Sequence, residues 1–600
     1  MPKKLYIFLL SIILALSFIL RVYGINYGLP LHLHPDEWSQ IEPSLKMFNW
    51  DLNPHVFYYP SFLTYFLFII FKTLNFLSPD VFKVTASNEI FYFAGRFLSV
   101  IFGVFTVLTV YLLGVKLFDR KVALTSAFFF SISPLHVRSS HYSIVDIPML
   151  LFICWTIYFC LSIAKENSFK NYFLAGFAGG IASSTKYTAF LLIFIIYLAC
   201  LIHEYTNLKE NGSILKTDKK RLLLILSVGI FFLVAGFLIS SQQLFDNVQK
   251  YFSYNGKIEK GDLGFYVIGK IKFIFFFAGI FFLSVFSIIK YSNYNPFKKL
   301  LSINYVNKKI IFSIIIFITT LMIISPYMIL DSKSFFRDFK FAFKVSTLGY
   351  YENKLWIPVE SQSSFISYLE TFISGNGLLL FIVSILGFIT LVSKINLIPV
   401  FWTVIYFLCI SGWKVSMSRF LLPVLPFMAI YSSAFIFYLT ERLGTIFSKV
   451  KSKQIFISEN MKKFFAILLI SVCSVVPSRN SIAVAKSFDK GSTLLESFNW
   501  IEKNIKERSK IVLIGDAPDL KLSDRGYLIF QQKSLKKNMG FDYLNKNTIN
   551  YLVIGVYKYN EKDVTSRLRP GNYSELIKEI RPDESLKGPI IKIYELKKKD

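Results

Sequence analysis

The chain has 600 residues, 54% of them hydrophobic and only 18% charged, with a mean hydropathy of +0.50, whereas soluble domains usually carry about 25% charge. This balance excludes a soluble globular protein, and apolar runs of roughly 17 to 25 residues, repeated about a dozen times, exclude a small secreted scaffold or a single-span receptor. The net charge of +29, from 67 Lys and Arg against 38 Asp and Glu, fits Lys/Arg-rich loops on one side of a membrane better than a nucleic-acid partner, and none is expected.

In chain order, the first apolar run, 5–20, follows Lys3 and Lys4 and ends at Arg21 with no small-residue cleavage site behind it. It reads as a retained span with its amino end in the cytoplasm. Further spans are expected near 96–115, 122–137, 147–164, 171–185, 187–203, 222–240, 264–289, 310–329, 372–393, 397–411, 420–440 and 464–478, about thirteen in all. The run 62–77 is read as an interfacial or re-entrant helix rather than a span. With it placed so, the Lys/Arg-rich segments 116–121, 165–170, 209–221, 298–309 and 442–463 all become cytoplasmic. The odd count then puts the carboxyl end outside a plasma (cytoplasmic) membrane.

Residues 1–478 are thus expected to form a multi-pass membrane domain with a first outer loop at 24–60. Residues 479–600 are polar and Lys-rich, with β-like runs at 510–515 and 551–555 and helical patterns at 494–505 and 574–580. They read as a small extracytoplasmic α/β domain. Gly515-Asp516 closes a strand, but no GxGxxG follows, so an ordinary strand end is the reading. The five cysteines show no CxxC spacing, which indicates neither a disulfide framework nor a zinc cluster.

Charged residues at the outer ends of spans carry the chemical information. His34-Pro35-Asp36-Glu37 follows the first span: two adjacent carboxylates beside an imidazole are more than solubility requires, although Asp36 also suits a helix N-cap. In the stretch 133–148, His136, Arg138 and His141 precede Asp146, which opens the next span at the positive end of a helix dipole. Arg96, Lys186 and Arg419 come from three separate spans on the same face. Each can snorkel to lipid headgroups, but three cations this close to hydrocarbon, opposite acids, suit a phosphate-bearing lipid.

In order and placement these motifs resemble the GT-C superfamily of polyprenyl-phosphate-dependent glycosyltransferases, in particular the family 39-like group of protein mannosyltransferases and aminoarabinose transferases. The resembling residues are His34-Pro35-Asp36-Glu37, Tyr59-Pro60-Ser61, Gly95-Arg96-Phe97-Leu98-Ser99, Ser133-Pro134-Leu135-His136 through Asp146, Thr185-Lys186-Tyr187, Ser325-Pro326-Tyr327 with Asp331, and Arg419-Phe420-Leu421-Leu422-Pro423. The resemblance implies a GT-C-like polytopic helical fold and transfer of a sugar from a polyprenyl-phosphate donor to a hydroxyl of a glycan, lipid or protein acceptor on the outer face, with inversion. It makes Asp36 the catalytic base, Glu37 a second catalytic candidate, and Arg96, Lys186 and Arg419 the donor-phosphate ligands. His34, Arg138, His141, Asp146 and Tyr187 take supporting places.

The chemistry agrees with these assignments. A hydroxyl is a weak nucleophile and needs a carboxylate to take its proton, and a departing phosphate needs cations. The residues establish no cofactor and leave a divalent metal open. Some relatives hold a metal through a histidine in the long outer loop, but residues 331–371 here contain none, which leaves His34, Glu37 and His55 as weak candidates for a divalent ion. A lipid-linked saccharide flippase or transporter is the competing class. Transporters place ionisable groups near the midplane on broken helices, whereas these charges sit at helix ends.

Overall fold

In hydrocarbon a chain can satisfy its backbone groups only within helices or closed barrels. The computed structural model of the protein describes residues 2–29, 31, 34, 36–84, 88–210, 308–351, 354–355, 363–391, 393, 395–450, 459–515, 527–532, 549–556, 574–583 and 586–596. The first part is a helical bundle. It comprises α1 (Lys3–Val22), α2 (Trp38–Lys46), α3 (Phe62–Leu77), α4 (Glu89–Leu117), α5 (Arg120–Ser131), α6 (Pro134–Ser139), α7 (Asp146–Lys165), α8 (Phe169–Thr185) and α9 (Leu192–Glu210). It continues with α10 (Lys308–Ile324), α11 (Ser332–Leu348), α12 (Ser364–Asn376), α13 (Leu378–Thr390), α14 (Leu397–Ser411), α15 (Leu425–Val450) and α16 (Glu459–Ser487).

Six helical stretches among the described residues are long and apolar enough to cross a membrane, or seven if α12 and α13 count as one span. The chain is a multi-pass helical membrane protein. The expected spans at 222–240 and 264–289 lie outside the described residues. Two expected spans are broken where turn-forming residues intervene. The run 122–137 stops at Ser131 and restarts at Pro134, which occupies the first turn of α6. The run 372–393 bends by 115° between α12 and α13, at Gly377, whose φ of +87° is left-handed.

The bundle core is built by α4, α7, α8, α9 and α15, with Val107, Ile153, Tyr172, Ile195 and Phe427 fully buried. A second core lies under the first loop. There Leu63, Leu67 and Phe71 of α3 pack against Ile41 and Leu45 of α2, Phe91 of α4 and Val145. Residues 62–77 therefore do form a helix, with one face on protein.

Beyond α16 come helix α17 (Thr493–Asn504) and strands β1 (Lys510–Gly515), β2 (Leu528–Gln532), β3 (Tyr551–Val556), β4 (Ser574–Ile580) and β5 (Ile590–Leu596). The five-stranded sheet has the order β2-β1-β3-β5-β4. Both neighbours of β1 run parallel to it, and β5 runs antiparallel to β3 and β4. Ile511 and Leu513 face α17, and Val512 and Ile514 face the other way, as strand alternation dictates. The helical expectation at 574–580 is wrong. The run Ser-Glu-Leu-Ile-Lys-Glu-Ile is rich in helix formers, yet it pairs along β5 with a bulge at Leu576/Lys578. An available sheet edge outweighs a local propensity of tenths of a kcal/mol per residue, about the scale of such preferences.

Candidate active site

At the end of the bundle that carries the first loop, a cavity of about 660 Å³ is lined by Asp36, His34 and Trp38 from that loop and by Tyr58 and Tyr59 from its far end. Arg138 and Tyr142, Lys186, Met417, Arg419 and Phe420, and the α11 residues Phe341 and Val345 complete the wall. Elements far apart in sequence thus meet around one carboxylate.

Asp36 does not cap α2; Glu37 holds the N-cap position without a side-chain cap bond. The Asp36 carboxylate instead pairs with the Arg419 guanidinium, both partly exposed to the cavity. Arg419 also approaches the Met417 sulfur at 3.2 Å, while its Nε finds no acceptor among the described residues. The imidazole Nδ1 of His34 accepts the Asp36 backbone N–H at 3.2 Å, and its ring lies 4.2 Å from that of Tyr142. Burial lowers the His34 pKa, so the ring beside Asp36 favours its neutral form. Burial likewise pushes the Tyr142 hydroxyl up to about 12 and the Tyr59 hydroxyl higher still.

Lys186, at the C-cap of α8, is buried and donates to Asp146 Oδ1 at 2.6 Å. Its ammonium also sits 4.7 Å from the Phe420 ring centre, a cation–π contact that steadies it on the cavity wall. Asp146 opens α7, but its second oxygen has no partner among the described residues. Arg138 is exposed and lines both this cavity and a neighbouring one of about 590 Å³ that also shares Tyr142.

Glu37 and Arg96 do not face the cavity. Arg96 Nε and Nη2 each donate to Glu37 at 2.8 Å, and the pair is buried, at 1% and 0% exposure. Arg96 Nη1 donates to the carbonyls of Ile25 at 2.9 Å and Tyr27 at 2.7 Å, and the Ser143 N–H donates to Glu37 at 2.9 Å. A fully desolvated bidentate pair whose hydrogen bonds are already taken staples the first loop to α4. Its atoms are committed to each other, not to a ligand.

The remaining sequence candidates also fall elsewhere. His141 stacks on Phe488 and contacts two backbone carbonyls. The Tyr187 hydroxyl donates to the Phe57 carbonyl at 3.0 Å and so braces the far end of the first loop. His55 pairs with Asp51 at 2.7 Å in an exposed contact. The weak metal candidates His34, Glu37 and His55 therefore each have other partners, and no three His, Cys, Asp or Glu side chains converge among the described residues. The described residues do not fit a metal centre.

Sequence reading overlooked α11, which hydropathy absorbed into a long loop. Its signal was present as Phe335, Phe339 and Phe343 at intervals of four. Asp338 on this helix accepts the Phe57 N–H at 3.0 Å, and Asp331 accepts from Asn53 at 3.0 Å. The motif Ser325 accepts the Ser61 N–H at 3.1 Å. The first two contacts set α11 and its N-cap Asp331 against the first loop, and the third ties the turn after α10 to the start of α3.

Part of the chain is similar to known proteins. Residues 81–238 match the family model described as dolichyl-phosphate-mannose-protein mannosyltransferase. Dolichyl-phosphate-mannose–protein mannosyltransferase 1 of Saccharomyces cerevisiae is 28% identical over 165 residues, which is 25% of this chain and 20% of the yeast protein. The chain thus matches about a fifth of that relative's length. Among solved structures, the Archaeoglobus fulgidus oligosaccharyltransferase AglB, in complex with an inhibitory peptide and a dolichol-phosphate, is similar at 14% identity and a TM-score of 0.48, over 92% of this chain and 69% of that one. ArnT from Cupriavidus metallidurans, bound to undecaprenyl phosphate, is similar at 11% identity and a TM-score of 0.43, over 99% of this chain and 98% of the other. The family segment takes in Gly95-Arg96-Phe97, Ser133 through Asp146 and Thr185-Lys186-Tyr187, and over these residues the chain is similar to the protein mannosyltransferases.

Proposed function

We propose that this chain is a membrane glycosyltransferase that moves a sugar from a polyprenyl-phosphate carrier to an acceptor hydroxyl, with Asp36 as general base. The observation that carries the reading is one cavity wall bearing a part-exposed carboxylate, Asp36, together with the cations Arg419, Lys186 and Arg138. The family segment and the yeast relative, whose name specifies a lipid-phosphate mannose donor and a protein acceptor, support it.

In this reading the donor phosphate lies against Arg419, whose Nε is unused, and competes with Asp36 for the guanidinium. Asp36 then accepts the proton of the acceptor hydroxyl as that oxygen bonds to the anomeric carbon. The bond from that carbon to the phosphate oxygen breaks, and attack from the opposite face inverts the centre. The polyprenyl phosphate leaves with its electron pair, its charge met by Arg419, Lys186 and Arg138. Glu37 and Arg96 position the loop rather than touch the reactants. The site faces outward from a cytoplasmic membrane in this proposal, with the amino end inside and the domain of residues 479–600 outside. Mass spectrometry of membrane lipids in a deletion strain tests the reading: a lipid-linked sugar accumulates if it holds, and an unchanged lipid profile together with unchanged surface glycans overturns it.

A further inference from the structure

The sheet-bearing tail grips the first loop at two points. At the root of the tail, Phe488 lies flat on His141, with ring centroids 3.9 Å apart and planes 4° apart. The same ring meets Tyr27 at 5.6 Å and Tyr142 at 5.4 Å, both edge-on. Gly24 packs directly behind it: its φ is +74°, and a Cβ there would stand 2.7 Å from the Phe488 carbonyl carbon, so no side chain fits. Next door, the Tyr23 hydroxyl donates to Asp489 at 2.6 Å.

The second grip is Leu31. This loop residue is 5% exposed because it joins the hydrophobic core of the tail, with Phe498 and Ile501 of α17, Ile505 at its C-cap, and Ile511, Leu513, Val553 and Ile593 of the sheet. Asp36 follows shortly after it in the chain. Between the grips the loop makes turn bonds from Tyr27 to Gly24, Leu29 to Asn26 and Leu31 to Gly28, and Arg96 holds the carbonyls of Ile25 and Tyr27. Each residue fixed in such a loop costs about 1–2 kcal/mol of backbone entropy, which the burial of Leu31 and the contacts of Phe488 help offset.

We infer that the tail domain is a positioning device for the reaction: Leu31 and Phe488 tie the loop of Asp36 into the tail and, together with the Glu37–Arg96 pair, fix where its carboxylate stands over the cavity. The inference rests on the reading of Asp36 as base. Leu31 touches no reactant; it acts through the loop. Placement matters because an error of about 1 Å in a catalytic group can cost on the order of 100-fold in rate.

The test uses the full-length protein in lipid nanodiscs, with undecaprenyl-phosphate mannose as donor and an envelope extract as acceptor. Leu31→Ala, Leu31→Met and Tyr23→Phe are compared by hydrogen exchange of peptides covering residues 24–40 and 491–505 and by donor turnover. Leu31→Ala is expected to speed exchange in 24–40 at least about tenfold, leave 491–505 unchanged, and lower kcat about tenfold while the donor KM stays within about twofold. Leu31→Met restores both. Exchange in 24–40 within twofold of wild type overturns the inference, and so does a loss that falls on KM alone. If Leu31→Ala melts the tail, Tyr23→Phe decides, since it leaves the tail core intact: about threefold faster loop exchange supports the inference, and none overturns it. If the wild type turns over neither this donor nor a panel of other undecaprenyl-phosphate sugars, the reading of Asp36 fails, while the exchange data still decide whether the tail holds the loop.

Discussion

Asp36 and Glu37 are consecutive in the chain, yet their carboxylates go to opposite partners: Glu37 turns inward to a buried bidentate pair with Arg96, and Asp36 turns to Arg419 on the cavity wall. One anchors the loop and the other is presented by it. The difference between the two carboxylates is environment, since their chemistry is nearly the same.

This division predicts two different failures. Asp36→Asn is expected to lower transfer at least about 100-fold, a bound set by general-base contributions of 10²–10⁴, while melting temperature and undecaprenyl-phosphate binding stay near wild type. Glu37→Gln leaves Arg96 buried with its ionic partner removed and is expected to cost about 3–5 kcal/mol of stability. Thermal unfolding of both purified variants, beside donor turnover, checks the contrast. Normal stability with lost turnover in Glu37→Gln would reverse the assignment.

Donor use is expected to depend on the cavity cations. Arg419→Ala and Arg138→Ala should each raise the donor KM about tenfold, which corresponds to about 1.4 kcal/mol. Arg96→Lys should reduce yield and stability instead, because Lys cannot replace a two-pronged contact. Titration of turnover against polyprenyl-phosphate sugar separates the two classes. An unchanged KM in both Arg419→Ala and Arg138→Ala would remove them from the phosphate site.

Acid should loosen the clamp at the root of the tail. Burial holds His141 at about 4, below its usual 6.5, and this outweighs the two carbonyls that favour its charged form. The unfolded chain therefore binds a proton that the folded chain refuses, so stability is full above about pH 6.5 and falls as pH drops toward 4, by up to about 3 kcal/mol. Melting curves from pH 7.5 to 4.5 are expected to show this slope in wild type and a shallower one in His141→Gln. Equal slopes would place the acid sensitivity elsewhere.

Orientation is checked by thiol labelling. A cysteine at Glu507 in the tail should react with an impermeant reagent added to intact cells, and one at Lys121, in the first turn of α5, should react only after permeabilisation. Protection at Glu507 with labelling at Lys121 would invert the topology.

The sequence by itself determined the class of the molecule, because burial in lipid is a local demand: each apolar run satisfies its own backbone as a helix, and hydropathy reads that without knowing the neighbours. It also singled out Asp36, Lys186 and Arg419, because a charge beside hydrocarbon is conspicuous wherever it stands. Which charge meets which was decided only by the tertiary structure. Arg96 looked like Lys186 and Arg419 from its position at a helix end, and only packing showed it saturated by Glu37, Ile25 and Tyr27. The same holds for Ser574–Ile580, a strand made by its partner β5, and for Leu31, an ordinary loop residue until the tail core closes around it. Pairing and burial between segments separated along the chain depend on three-dimensional proximity, and no local pattern of side chains records it.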